Sequence, residues 1–448
     1  RWLTPGLVLM LLMVVYPLVY TVYISFTNYS DGHLLSESQV IAQLEERYYQ
    51  PKNAATYQMI VYRNPSGGLL LFLTDAQGQR FTATPEQGLQ PYTATGEPPA
   101  SIGGYQKLEL VQTFQYLTQL QNINIQSGDF QIRVTAPNEA QQSVRKYAYN
   151  AATDTVTDQE TGQVYHAVRG TFVDAQGNPL PDATGFFVPV GFANLARVVS
   201  DPNIRGPFGQ VFVWTVLFAL LSTVLTFSAG LLLALVLNDE HLPLRGLFRS
   251  INILPYAIPG FISILIWVGL LNPYYGPFNQ MVKAVFGVSP DWFSNATLTK
   301  VAILGINTWL GYPYMMLINL GALQSIPTDM YEAAELDGAG RMAKFRHLTL
   351  PMLFISVGPM LLGTFAFNFN NFTVIDLVNQ GGPPIVGGFT PAGQTDILIS
   401  YTYRLAFSGG HGADYAMAAT IGIIIFIIIA SLTAFNFRFT RQLEEVMD

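Results

Sequence analysis

The stretch "YEAAELDGAGRMAKFRHLTLP", residues 331–351, carries Glu332, Glu335, Asp337, Arg341, Lys344 and Arg346 in a chain of which only 11% is charged. Long apolar runs lie directly before and after it. A charged, glycine-hinged segment between two oily ones reads as a loop between membrane spans. Working outward, six runs lack Asp, Glu, Lys and Arg: 3–26, 211–237, 251–271, 301–323, 351–369 and 416–437. A helix needs about 20 apolar residues to cross the hydrocarbon core of a bilayer, so each run is long enough. Any one of them reads equally as a buried helix of a large soluble protein; six together favour the membrane.

Composition agrees. The 448 residues are 50% hydrophobic and 13% aromatic, with a mean hydropathy of +0.30, more apolar than a soluble domain of this size. A net charge of −7 gives no reason to expect nucleic acid as a partner. The chain has no cysteine, which excludes disulfides, thiol catalysis and Cys-ligated metals. His33, His166, His241, His347 and His411 have no metal-ligand spacing, and no metal is expected. The first residue is Arg1, and the run at 3–26 is too long for a signal-peptide core. The natural protein is therefore expected to start upstream.

Loop charges orient the spans. With Arg1 cytoplasmic, that side holds Arg1, Arg245, Arg249, Arg341, Lys344, Arg346, Arg438 and Arg441; the other side's short loops hold Lys283, Lys300 and Arg404. The positive-inside bias puts residues 331–351 in the cytoplasm. It also puts residues 27–206 outside, and that insert reads as a folded domain. The runs "MIVYR", "GLLLFLT", "RFTAT", "FQIRVTA", "VYHAVRGTFV" and "GFFVPVG" alternate with the turn signals "NPSGG", "DAQGQ", "QETGQ" and "DAQGNP". A mostly β domain with some helix near 37–49 is expected, either a solubilising cap or a docking surface. The expected layout is a first span at 1–26, the insert at 27–206, a five-helix core at 207–437 and a cytoplasmic tail at 438–448. The fold class is all-α polytopic membrane protein with a large β insert.

Several chemistries have no support. The spans contain no ionisable residue to line an ion or proton path. There is no phosphate-cradling G-x-x-x-x-G-K-[ST], so this chain is not read as a nucleotide motor. There is no G-x-S-x-G elbow or H-E-x-x-H pair, and an enzyme is not expected.

The spans do carry aligned polar groups. In "GTFAFNFNNF", Thr364, Phe367, Asn368 and Asn371 fall at i, i+3, i+4 and i+7, one face of a helix. In "NTWLGYPYMM", Asn307, Gly311 and Tyr314 fall at i, i+4 and i+7. Pro313 is expected to weaken that helix, as Pro255 and Pro259 weaken the preceding one; interrupted helices often build transporter sites. Asparagine amides donate and accept, as a sugar hydroxyl requires, and an aromatic ring offers a face to pyranose C–H groups. The uncharged pattern suits a neutral sugar or polyol. The competing reading is interhelical glue, with Asn and Thr hydrogen-bonding between helices and Gly permitting close packing.

Within the opening stretch, Thr328 or Asp329 is placed to cap a short helix. Met330, Ala333 and Ala334 form its small apolar side, Gly338, Ala339 and Gly340 turn the chain, and a second short helix from Arg341 leads to Pro351 at the start of the next span. The segment reads either as an amphipathic helix on headgroups or as a knob for a cytoplasmic protein. The two early acids disfavour an anionic leaflet.

The spacing of Glu332, Ala333, Ala334, Gly338, Leu348, Leu350 and Pro351 resembles the EAA signature of bacterial ABC importer membrane subunits, with Leu348 where Ile is usual. "SFTNYS", "ILPYAIPGFISILIW", "NTWLGYPYMM", "FAFNFNNF" and the large insert are similar to the larger membrane subunit of maltose/maltodextrin importers. That resemblance implies a permease in the bacterial inner membrane with its insert in the periplasm. It implies four partner chains: a second, smaller permease subunit, two copies of a cytoplasmic ABC ATPase and a periplasmic sugar-binding protein. ATP and Mg would be used by the ATPase, with no cofactor on this chain. It implies a sugar site at Asn307, Leu310, Gly311, Tyr314, Thr364 (a Ser in the family), Phe367, Asn368 and Asn371. ATPase coupling would fall to Glu332, Ala333, Ala334, Gly338, Leu348 and Pro351. The family usually has two further spans upstream. A permease for another neutral sugar or polyol, an ATP-independent facilitator and a membrane-anchored scaffold are the alternatives; the docking knob argues against the facilitator.

Overall fold

The structure is a computed structural model. It describes residues 3–123, 125–128, 130–181, 183–386, 391–407 and 412–444, with side chains described up to residue 434. Arg1 and His411, and the side chains of Arg438 and Arg441, lie outside the described residues.

The chain forms two compact units, one spanning Gly32–Val188 and the other formed by the sequence on either side of it. The second unit is helical, and its helices are numbered here in chain order: α1 Thr4–Ser25, α2 Ala193–Ser200, α3 Pro202–Asn238, α4 Arg245–Ala257, α5 Gly260–Leu270, α6 Pro277–Phe286, α7 Ala296–Gln324, α8 Thr328–Leu336, α9 Arg341–Phe369, α10 Phe372–Asn379, α11 Leu398–Phe407 and α12 Tyr415–Glu444. Among the described residues, α1, α3, α7, α9 and α12 are each long and apolar enough to span a bilayer. The pair α4 and α5 makes a sixth span only if counted as one.

That pair covers the span expected over 251–271, interrupted where its prolines were expected to weaken it. α4 and α5 meet at 91°. Ile258 precedes Pro259 and is extended (φ −83°, ψ 132°), because the proline ring excludes helical geometry from the residue before it. Pro313, by contrast, sits inside the uninterrupted 29-residue α7; one lost backbone bond is tolerated where neighbouring helices enclose the turn. The second short helix expected from Arg341 is not separate. It runs through a π turn at Phe345–Thr349 into α9, giving one 29-residue helix. The last helix continues to Glu444, through most of the expected tail.

α3 and α7 form the central pair. α3 buries a stripe of mostly small residues, Thr215, Ala219, Ser222, Thr226, Gly230 and Ala234, which lets backbones approach. A Cβ added to Gly230 would lie 2.6 Å from the amide nitrogen of Met316. Around that pair, Phe227, Leu231, Met316, Leu320, Leu353 and Val357 join α9 to it.

Polar contacts close one end of this unit. The Asn194 side chain donates to the backbone oxygens of Ser25 and Thr27, at 2.8 and 2.7 Å. Asp31 accepts from the Ala413 backbone and the Tyr415 hydroxyl. This is the structural work of "SFTNYS" and the residue after it. Asp396 is fully buried and paired with Arg404 at 2.6 Å, so Arg404 is a structural ion-pair member rather than a free loop charge. Lys300, also expected in a loop, lies within α7.

The Gly32–Val188 unit is built on two antiparallel sheets. The larger contains Thr56–Arg63, Leu69–Thr74, Arg80–Thr84, Phe130–Ala136 and Glu139–Arg145. "LLFL" in Leu69–Thr74 is buried on both faces, Leu71 and Leu73 in one cluster and Leu70 and Phe72 in another; hence a continuous apolar run rather than an alternating one. The smaller sheet is a four-stranded meander over Tyr147–Asn150, Thr155–Asp158, Val164–Val168 and Thr171–Val173. A helix at Glu37–Glu45 starts with a capping box from Ser36 and Gln39. "GFFVPVG" forms no strand. It makes only isolated bridges, Phe186 to Leu35 and Pro189 to Thr27, because the proline removes a ladder donor.

Candidate functional site

A cavity of about 540 Å³ opens within the helical unit, within the ordinary size range of small-molecule sites. α7 contributes Asn307, Leu310, Gly311 and Tyr314; α9 contributes Thr364, Phe367 and Asn368; the turn into α10 contributes Asn371. All eight residues singled out from the sequence therefore line one space. Asn371 is not on the face of α9 as its i+7 spacing suggested: the helix ends at Phe369, and Asn371 is the N-cap residue of α10. The chain turns there and returns the side chain to the same cavity.

The three asparagines hold each other. Asn307 Nδ2 donates to Asn368 Oδ1 at 2.8 Å, and Asn371 Nδ2 donates to Asn307 Oδ1 at 3.0 Å. Asn368 Nδ2 donates to the Thr364 carbonyl at 2.9 Å, and the Thr364 hydroxyl to the Met360 carbonyl. Interhelical glue is thus one real function of this network. Hydrogen-bonding capacity is left over: each amide nitrogen has a second hydrogen, and Asn371 Oδ1 has no protein partner among the described residues. Asn307 and Asn368 are buried, so their amides are fixed in direction. Phe367, 68% exposed, presents its ring to open space. Among the described residues, no Asp, Glu, Lys, Arg or His lines the cavity.

Sequence reasoning missed the other walls. Thr226 of α3 faces Gly311, whose added Cβ would lie 2.7 Å from Thr226 Cγ2. The elbow between α4 and α5 supplies Tyr256, Ile258, Phe261 and Ile264. Tyr256 stacks on Tyr314 with ring centroids 6.5 Å apart. The paired prolines marked the elbow as irregular, but nothing in the periodicity said which helix it would face.

The opening stretch forms the second candidate site. α8 starts after Pro327 with no side-chain cap, so neither Thr328 nor Asp329 has the capping role expected of it. Its end is a Schellman turn: Gly338 sits at φ +80°, with bonds from Gly338 N to Glu335 O and from Ala339 N to Ala334 O. Tyr331 and Thr349 share a hydroxyl hydrogen bond of 3.0 Å, and Lys344 donates to Glu335 at 2.9 Å. α8 is thereby fastened to the start of α9. The Lys344 bond holds the Glu335 carboxyl below its ordinary pKa. Glu332, Ala333 and Gly338 are exposed, Ala334 and Leu348 half-buried, and Pro351 exposed. Leu336 and Met342 are 90% and 75% exposed, two large apolar side chains that the sequence reading did not single out.

Residues 226–444 match the family described as "Binding-protein-dependent transport system inner membrane component", and residues 8–86 match "N-terminal of TM subunit in PBP-dependent ABC transporters". The chain is 38% identical to the "Maltose/maltodextrin transport system permease protein MalF" of Vibrio vulnificus, over 98% of this chain and 85% of that protein. It is also 38% identical to the protein of the same name from Klebsiella aerogenes, over 99% and 87%. The chain belongs to the ABC importer permease family. A crystal structure of "a bacterial ABC transporter involved in the import of the acidic polysaccharide alginate" aligns with TM-score 0.47 and 21% identity, over 56% of this chain and 84% of that one. This permease is a multi-pass protein of the inner membrane and a transport subunit; ATP hydrolysis belongs to a separate subunit of the assembly.

Proposed function

We propose that this permease carries maltose and maltodextrins, and that the 540 Å³ cavity is the sugar site within the membrane. The observation that carries the reading is the convergence of Asn307, Leu310, Gly311, Tyr314, Thr364, Phe367, Asn368 and Asn371 on one uncharged space. Their network pre-orients amide donors and acceptors, which limits the reorganisation needed on binding. Phe367 and Tyr314 supply faces for the apolar side of a pyranose. The names of the relatives support the same substrate.

The working assembly in this reading adds a second, smaller permease subunit, two copies of a cytoplasmic ABC ATPase and a periplasmic sugar-binding protein, with ATP and Mg handled by the ATPase. The Gly32–Val188 unit is the periplasmic element that meets the binding protein. Glu332, Ala333, Ala334, Gly338, Leu348 and Pro351 form the coupling element. α8 is joined in sequence to α7 and α9, the two helices that supply seven of the eight residues. At ~1.5 Å rise per residue, the unbroken α9 carries Asn368 roughly 40 Å from Arg341. A displacement of α8 by a closing ATPase would reach the cavity along that rod as a rigid-body shift.

The test is binding of maltose, trehalose and glycerol phosphate to the purified assembly. Binding of maltose in preference to trehalose, without glycerol phosphate, is expected. Preference for the phosphorylated ligand would overturn the reading, since no charged side chain among the described residues lines the cavity.

A further inference from the structure

A second cavity, of about 430 Å³, lies away from the first in the helical unit. α3 lines it with Gln210, Val213, Trp214 and Leu217, α7 with Lys300, and the segment before α11 with Ile385, Gly393 and Gln394. The Lys300 ammonium sits 4.7 Å from the centre of the Trp214 ring. Trp214 is itself fixed by an indole hydrogen bond to the Thr395 carbonyl at 3.1 Å. Among the described residues Lys300 has no carboxylate within ion-pair distance. A half-buried cation therefore faces a cavity beside two side-chain amides, with its positive charge uncompensated by any anion of the described protein.

The surface next to the cavity is of the opposite character. Val213, Leu217, Leu220 and Val224 lie at i, i+4, i+7 and i+11 along α3 and are 56%, 44%, 49% and 50% exposed. They form an apolar stripe beginning at the cavity and running along the span. Lys300 is in the first turns of α7, at the end opposite α8. The charge bias of the loops places that end on the non-cytoplasmic side. Lys and Trp at such a depth are the side chains that meet headgroups, the amine reaching the polar layer and the ring occupying the boundary.

We propose that this cavity holds the phosphate of an anionic glycerophospholipid from the outer leaflet, with an acyl chain lying on the Val213–Leu217–Leu220–Val224 stripe. Lys300 supplies the counter-charge, and Gln210 and Gln394 supply amide donors to the phosphate oxygens. Val213 and Leu217 would touch the glycerol and the first methylenes. A peptide helix packed on the same stripe would bury the apolar residues but would need a carboxylate opposite Lys300. A phospholipid satisfies both requirements in one molecule.

The test uses the permease assembly purified in detergent. It is supplied with phosphatidylglycerol or phosphatidylcholine, and lipid retention is read by native mass spectrometry. Wild-type protein should retain phosphatidylglycerol preferentially. Lys300→Gln should weaken that retention about fivefold, the effect of one basic group at an anionic headgroup, and Lys300→Arg should preserve it. Gln210→Leu, on an exposed position that bears no packing load, should weaken it too. A photo-crosslinking residue at Val213 should label lipid. Retention unchanged in Lys300→Gln, crosslinking of Val213 to a polypeptide, or displacement of the lipid by millimolar inorganic phosphate would each overturn the proposal.

Discussion

Asn368 and Phe367 are neighbours on α9 with opposite dependence on the fold. Asn368 is buried and accepts from Asn307, so Asn368→Ala orphans a buried donor at a cost of about 1–3 kcal/mol. Transport and thermal stability should both fall, as measured by uptake and by melting of the purified assembly. Phe367 is mostly exposed. Phe367→Ala should lower uptake while leaving melting unchanged. A second prediction concerns Gly311. Gly311→Ala forces a Cβ to within 2.7 Å of Thr226 Cγ2 and should impair uptake; Thr226→Ala should restore it in the double variant, because the clashing methyl is gone. Wild-type uptake by Gly311→Ala alone would show that the helices relax without consequence. At this scale the grouping of these residues around one cavity was legible. Helical spacing gathers Asn307, Gly311 and Tyr314, and amide chemistry gives them a use. Thr226 and Tyr256 were not legible, because periodicity describes one helix at a time and says nothing of the facing one.

Elements were legible where apolarity decided them and misread where local chemistry did. The charged run after Gly340 looked like a separate helix because its composition changes at Pro351, yet backbone hydrogen bonding continues through the π turn at Phe345–Thr349. Proline at the first turn of a span is as acceptable as within a continuing helix whose neighbours satisfy the freed carbonyl. The continuity matters for α8. Ala334→Trp thickens the exposed knob, and Glu332→Lys reverses its charge. Each should reduce sugar-stimulated ATP hydrolysis and copurification of the ATPase while the chain still inserts. Full ATPase stimulation in the combined variant would reduce α8 to a surface helix. Gly338→Val places a β-branched residue at φ +80°, which strains the Schellman turn, and should act in the same direction.

The whole molecule divides where the chain can be cut. Pro189 bridges to Thr27, and Val190 N donates to the Phe26 carbonyl at 2.7 Å, so the two chain segments that lead to and from Gly32–Val188 already lie side by side. Replacing that unit with a short Gly/Ser linker should leave the helical unit inserted and weaken crosslinking of the periplasmic binding protein. Undiminished crosslinking would remove its docking role. The sequence placed this insert at 27–206; the compact unit ends at Val188 because α2 and the start of α3 belong with the helices. Turn signals mark where strands end, but they cannot tell which unit a short amphipathic helix joins.

The central claim is that a neutral sugar crosses this permease through the Asn307, Phe367, Asn368 and Asn371 constellation. The most direct measurement is uptake of labelled maltose by vesicles carrying the assembled importer with Phe367→Ala and Asn371→Ala combined, beside wild type at matched protein and ATPase content. The account predicts loss of most uptake with the assembly intact. Uptake at the wild-type rate would contradict it and move the sugar path elsewhere.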